Sequence, residues 1–364
     1  MKMIFRWFGE RDDSVALWQI RQIPGVSGVV SALQDIPVGE VWPLERILEL
    51  KRIVNDAGLE LEAIESVNVH EDIKLGLATR DRYIQNYVAT IQNLGQAGIK
   101  LICYNFMPVF DWTRSDLAKP LADASTVLSY EEALIKDLDP INMLEEMERN
   151  AKGFSLPGWE PYRLQELKGL FEKYQTVDEV QLFANLKYFL EGIIPTCEAY
   201  DVKMAIHPDD PPWSVFGLPR ITTCGENLAK ILSLVDSPYN GLTLCSGSLG
   251  ANPENNIPEL VRRFGGQGRI HFAHIRNIKI VSERNFHETS HRSGDGSLDL
   301  FEIMKAYHDV GFNGYIRPDH GRMIWNEQAR PGYGLYDRAL GIMYLLGLWE
   351  AIGKMKSKGA GDHA

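Results

Sequence analysis

Short apolar or β-branched runs recur along the chain: Met3–Trp7, Val26–Ala32, Leu61–Val67, Lys100–Asn105, Val202–His207, Gly241–Ser246, Arg269–Ile275 and Gly314–Asp319. Between most of them the apolar residues fall at helical spacing, as in Leu44–Ala57, Arg80–Ala97, Leu182–Tyr200, Ile257–Arg263, Leu298–Val310 and Tyr336–Ala351. In Arg80–Ala97 the spacing places Tyr83, Tyr87, Ile91 and Leu94 on one face. Gly58, Gly98 and Gly311 each follow a helical segment and precede a strand, the position of a glycine that ends a helix in the left-handed region. Eight predicted strands alternating with helices are what a (β/α)8 TIM barrel requires, so the chain reads as an α/β protein with a single barrel domain over residues 1–364.

One stretch breaks the rhythm. Residues 107–180, between the fourth and fifth strands, are far more than one connection needs, and they carry the charged run Glu145–Arg149 and the Pro157–Pro161 segment. They are expected to form a helical insertion covering the C-terminal face of the barrel, where long loops cover active sites.

Composition narrows the partners. With 364 residues, 45% hydrophobic and 24% charged, the chain has the make-up of a soluble globular domain. A net charge of −11 argues against a nucleic-acid or anionic-membrane surface but leaves room for a small anionic substrate met by local arginines. The N-terminus lacks a signal-peptide pattern, no apolar run is long enough to span a bilayer, and Cys103, Cys197, Cys224 and Cys245 form no CxxC pair. Reduced thiols in a cytoplasm are the expectation. Oligomeric state stays open, a homo-oligomer such as a dimer being compatible with a barrel of this kind.

Catalytic groups of such barrels sit at the C-terminal ends of strands. Those ends hold His207, Cys245, His274 and Asp319 in the last four strands. Singly, each is most simply a core residue. Together, two imidazoles, a thiol and a carboxylate at successive strand ends form a ligand set for a borderline divalent ion such as Mn²⁺, Fe²⁺ or Zn²⁺.

Over nearly its whole length the chain resembles the mannonate dehydratases. The resemblance rests on Phe5-Arg6-Trp7-Phe8-Gly9, Gly28–Leu33, Ile36–Trp42, His70-Glu71-Asp72-Ile73-Lys74, Tyr104–Val109, His207–Pro212 and Arg317-Pro318-Asp319-His320-Gly321-Arg322. It implies dehydration of D-mannonate to 2-keto-3-deoxy-D-gluconate in hexuronate (glucuronate) breakdown, with Mn²⁺ or Fe²⁺ held by His207, Cys245, His274 and Asp319. It also implies His320 as an acid–base group with a nearby tyrosine as its partner. Tyr333 and Tyr336 both qualify, and Tyr333 is preferred.

The chemistry agrees with that assignment. Loss of water across C2–C3 of a sugar acid needs a base for the C2 proton, a Lewis acid, and an acid for the departing hydroxide. A neutral histidine accepts a proton near pH 7 and an ordinary tyrosine does not, so His320 is read as base and Tyr333 as acid, with the reverse left open. Arg276 is the expected carboxylate partner, Asn105 and His70 the hydroxyl partners, and Trp112 with Arg114 close the site from the insertion. The alternatives are a metal-dependent sugar isomerase or a non-catalytic sugar-acid-binding protein on the same barrel. His287-Glu288-Thr289-Ser290-His291 matches HExxH, but Arg292-Ser293-Gly294-Asp295-Gly296 follows it, a loop composition in which the two histidines would not share a helix face.

Overall fold

Each of the eight apolar runs holds one barrel strand. The computed structural model describes residues 1–136 and 167–361. Its strands are β1 (Lys2–Arg6), β2 (Val26–Ser31), β3 (Glu60–Glu65), β4 (Leu101–Tyr104), β5 (Asp116–Pro120), β6 (Thr126–Glu131), β7 (Lys203–Ile206), β8 (Asn240–Cys245), β9 (Ile270–Ile275), β10 (Ile278–Ser282), β11 (Asn285–Glu288) and β12 (Tyr315–Pro318). Eight of them close a parallel barrel in the order β1-β12-β9-β8-β7-β4-β3-β2. Every residue of β8 and β9 is buried, as expected of parallel strands covered by helices outside and packed side chains inside.

Two apolar clusters separate these faces. Ile4, Val30, Ala63, Leu101, Cys103, Ala205 and Phe272 fill the barrel interior. Met3, Phe5, Val29, Met204, Ile206, Leu242, Leu244 and Ile316 belong to the large outer cluster against the helices. Side chains alternate along a strand, so the residue two places beyond an interior one also points inward. That parity carries Arg6, Glu65, Asn105, His207 and His274 onto the inside of the C-terminal rim. The same alternation puts Thr243 inside, its hydroxyl donating to Cys103 Sγ at 3.2 Å, and with it Cys245.

The helices lie where the spacing puts them, at Leu44–Asp56, Arg80–Gln96, Glu179–Tyr200, Ile257–Gly266, Leu300–Asp309 and Leu335–Gly361. Gly58, Gly98 and Gly311 take φ of 76°, 76° and 67°. In Arg80–Gln96 the buried stripe is Ile84, Tyr87, Thr90, Ile91 and Leu94; Tyr83 turns aside to stack on His70. Among the described residues no helix is long and apolar enough to cross a membrane.

The insertion departs from the expected helical form. Its described part before residue 137 is largely the antiparallel hairpin of β5 and β6, followed by a short helix at Glu132–Lys136. Thr126-Val127-Leu128-Ser129-Tyr130-Glu131 is a β-branched and aromatic run, buried over its four central residues, which decides for strand over helix. A helix does follow at Leu167–Tyr174, while Glu145–Arg149 and Pro157–Pro161 lie outside the described residues. The hairpin joins β10 and β11, from the connection between β9 and β12, in a four-stranded sheet ordered β10-β11-β6-β5. Bridges from Trp112 to Asp210 and from Thr126 to Met323 tie this insertion to the loops of the barrel rim.

Candidate active site

The four strand-end residues converge. His207, Cys245, His274 and Asp319 each offer one donor atom, and all four atoms lie within 4.8 Å of one another. Cys245 Sγ is 3.5 Å from Asp319 Oδ2, and His274 Nδ1 is 4.0 Å from Asp319 Oδ1. An ion with bonds of about 2.0–2.3 Å holds neighbouring donors about 3–4.5 Å apart, so the set fits a single divalent cation of borderline softness. Barrel pairing aligns three members: Cys245 is in register with His274, and His274 with Arg317, two residues before Asp319.

The electrostatics suit ligand duty. Burial would push the Cys245 thiol up, but Arg276, with hydrogen bonds from His207 and His274, brings it down to about 5. Burial would lower His207, yet its hydrogen bond to Cys245 and the negative charge of that thiolate raise it to about 9. Asp319 is held well below the carboxylate range against its burial by His320, Arg317 and Arg276.

Behind the donors stands a buried lattice of ion pairs. Arg276 pairs through Nη2 with Asp210 at 2.6 Å, through Nε with Asp319 at 2.9 Å, and through Nη1 with Glu288. Arg114 makes a two-pronged contact with Asp210 at 2.9 Å and reaches Glu288 Oε1 at 2.9 Å. Arg317 grips Glu65 at 2.7 and 3.1 Å and Asp319 at 2.9 Å. Arg276 and Arg114 therefore sit behind the wall of the cleft rather than in it, their guanidiniums already matched to protein carboxylates. Neither is among the residues that line the cleft, where the sequence reading expected them.

His320 follows Asp319 directly. Its Nδ1 lies 3.0 Å from Glu288 Oε1 and its Nε2 2.9 Å from the Tyr333 hydroxyl. Of the two candidate tyrosines, Tyr333 is buried in this chain of contacts, whereas Tyr336 is 40% exposed and packs on Trp325. Burial, with Asp319 adding to it, pushes the Tyr333 phenol well above its ordinary value. Glu288 is the unforeseen member. Burial opposes its charge, but Arg276, His320 and Arg114 hold it at about 2.

Glu288 is also the centre of the apparent HExxH. The segment runs as strand β11 into a loop, with His287 Nδ1 at 2.7 Å from the Glu288 carbonyl and His291 Nε2 at 3.0 Å from that of Ile275. Neither histidine joins a convergent donor group among the described residues, and the strand lacks the helical face on which HExxH, a zinc-protease motif, sets its two histidines. The available signal was strand periodicity from the apolar Phe286, which puts Glu288 on the same face; the structure buries both.

An open cleft reaches the donor group at His207 and Asp319. His70, Asn105 and Trp112 line it, together with His207, Asp319, His320 and Tyr333. His70 caps the helix Glu71–Leu75 through Nδ1 and stacks on Tyr83 at 3.5 Å. Asn105 donates to Asp111, and Trp112 meets the His320 ring edge-on at 5.6 Å. Arg6, Glu65, Asp111 and Asp210 also line the cleft and were not anticipated. For Arg6 and Glu65 strand parity was the signal; for Asp111 and Asp210 the primary sequence carries none.

Comparison with known proteins agrees with this geometry. Residues 1–359 match the family model described as D-mannonate dehydratase (UxuA). The chain is similar to the mannonate dehydratase of Thermotoga neapolitana, 66% identical over 358 residues, covering 98% of this chain and 99% of the relative. It is similar to that of Geobacillus thermodenitrificans, 64% identical over 362 residues, covering 100% and 98%. Its fold matches the crystal structure of mannonate dehydratase from Streptococcus suis serotype 2 with a TM-score of 0.89 at 47% identity, covering 98% of this chain and 96% of that one. On these grounds the chain belongs to the D-mannonate dehydratase family.

Proposed function

We propose that this chain eliminates water from D-mannonate to give 2-keto-3-deoxy-D-gluconate, using His320 and Tyr333 beside a divalent ion held by His207, Cys245, His274 and Asp319. The reaction would serve hexuronate catabolism in the cytoplasm. The observation that carries the reading is the chain of contacts from Glu288 through His320 to Tyr333, set next to four convergent donors. When bound there, Mn²⁺ or Fe²⁺ would supply Lewis acidity to the carboxylate and hydroxyl oxygens of the sugar acid.

The protein's own groups do the rest. With Nδ1–H donating to Glu288, the His320 tautomer is set and Nε2 is left as the acceptor. Nε2 takes the C2 proton, and Glu288 stabilises the imidazolium that forms. Tyr333, kept protonated by its burial, donates to the hydroxide leaving C3. The resulting enol ketonises at C2. The His320–Tyr333 hydrogen bond then returns the proton to the phenolate, so C2–H and C3–OH depart together as water.

The test is anaerobic turnover of D-mannonate by metal-stripped protein with Mn²⁺ or Fe²⁺ restored, alongside Cys245→Ala and His320→Asn. Metal-restored formation of a 2-keto-3-deoxy acid is expected, with the first variant deficient in metal and the second in turnover. Protein that holds the ion yet forms no product overturns the substrate assignment; protein that holds no ion overturns the four-donor site.

A further inference from the structure

The cleft contains one cation that no carboxylate touches among the described residues. Strand parity carries Arg6 inward from Ile4 to the barrel rim, where it lines the cleft as the one arginine or lysine to do so among the described residues. Arg114, Arg276 and Arg317 each pair with at least two carboxylates. Arg6 pairs with none within 4.0 Å among the described residues. Its Nη1 donates to the carbonyls of Trp7 at 2.9 Å and Val30 at 3.3 Å. Among the described residues its Nε and Nη2 have no hydrogen-bond partner, and neither is among the fully enclosed polar atoms that lack one, so both keep some exposure on a residue that lines the cleft.

Those two nitrogens form one edge of the guanidinium, the edge that meets a carboxylate with two parallel N–H donors. We propose that Arg6 is the anchor for the substrate carboxylate, gripping it through Nε and Nη2. The assignment rests on the dehydratase reading and adds to it the residue that selects acids over neutral polyols.

The support is rigid. The Arg6 guanidinium lies over the Phe8 ring at 4.1 Å, Arg330 also contacts that ring at 4.0 Å, and Phe8 meets Tyr333 edge-on at 4.9 Å. Anchor and proton donor thus share one aromatic brace. A buried guanidinium with no carboxylate in contact is unfavourable, and burial lowers the proton affinity of Arg6 despite the partial offset from Glu65 and Asp13; a substrate carboxylate would supply the direct contact. Arg276, the carboxylate partner favoured on sequence grounds, is closed off by Asp210, Glu288 and Asp319.

The experiment compares binding of D-mannonate and D-mannonamide by calorimetry, with KM and kcat for D-mannonate, in the metal-loaded wild type, Arg6→Gln and Arg6→Lys. The wild type is expected to prefer the acid by about 10- to 100-fold, with Arg6→Gln abolishing that preference and raising KM by a similar factor at little change in kcat. Arg6→Lys, which keeps a charge and a rim donor but loses the fork, should fall between them, and it decides the matter if Arg6→Gln does not fold. Full acid preference retained in either folded variant overturns the role of Arg6. A wild type that shows no preference overturns the substrate reading itself.

Discussion

Replacing Glu288 by glutamine removes one charge from the buried cluster behind the cleft wall, and it should act on both rate and stability. Oε1 faces three cationic or protonatable partners: Arg276, Arg114 at 2.9 Å and His320 at 3.0 Å. A hydrogen bond to a charged group contributes about 1.5–3 kcal/mol, and the imidazolium formed when His320 takes the proton would lose that support. The expected fall in kcat is therefore about 10- to 150-fold, with KM within a fewfold of wild type. Stability should fall by roughly 3 kcal/mol, the free-energy equivalent of a carboxyl held near 2 instead of its ordinary 4.5. That agrees with the cost of about 3–5 kcal/mol for breaking a buried ion pair from one side. Initial rates of 2-keto-3-deoxy acid formation at saturating substrate and metal, metal content, and calorimetric melting measure the three quantities. A folded, metal-replete Glu288→Gln protein with kcat within threefold of wild type would refute the positioning argument.

Further outcomes follow from the same contacts. Because the folded value of Glu288, about 2, lies below its ordinary 4.5, its contribution to stability is complete above pH 4.5 and lost as pH falls toward 2. The melting difference between wild type and Glu288→Gln should accordingly be level from pH 8 to about 5.5 and shrink below 4.5; a difference that widens in acid would contradict the sign. Tyr333→Phe should lower kcat by at least 100-fold with metal retained, while Tyr336→Phe, at an exposed position, stays near wild type. Equal losses in the two would sink the assignment. Gly311→Ala should cost about 1–2 kcal/mol on denaturant unfolding, since φ is +67° and open space rules out a steric cause beyond the backbone itself. No measurable loss there would show that the helix end relaxes out of the left-handed region.

The barrel and its four donors were legible because both are written locally. An apolar run ending in His207 or Cys245 declares a strand and its last inward position at once. Even Arg6 and Glu65 were within reach, needing only the alternation from Ile4 and Ala63. What escaped depends on pairings between remote segments. Arg276 looks like a free cation in sequence, and only the fold brings Asp210 and Glu288 to it across 66 and 12 positions. Tyr83 and Ile84 both fit a helical stripe, and the outcome turned on His70, whose ring drew Tyr83 to the cleft. The charge clusters of the insertion suggested helix, while the run at 126–131 was already a strand pattern.

The small antiparallel sheet has a consequence for how this enzyme can be altered. Its halves come from connections separated by three barrel strands: Glu131 pairs with Asn285, and Tyr130 with Phe286. Glu288 rides on the same strand as Asn285 and Phe286, so the orientation of His320 is inherited from a hairpin whose strands contribute nothing to the cleft wall. The two loops therefore behave as one heritable unit. A chimaera that exchanges only Asp116–Glu131, or only Ile278–Glu288, between relatives would leave the residues lining the cleft in place and still misalign the base, whereas a paired exchange would transplant the sheet intact.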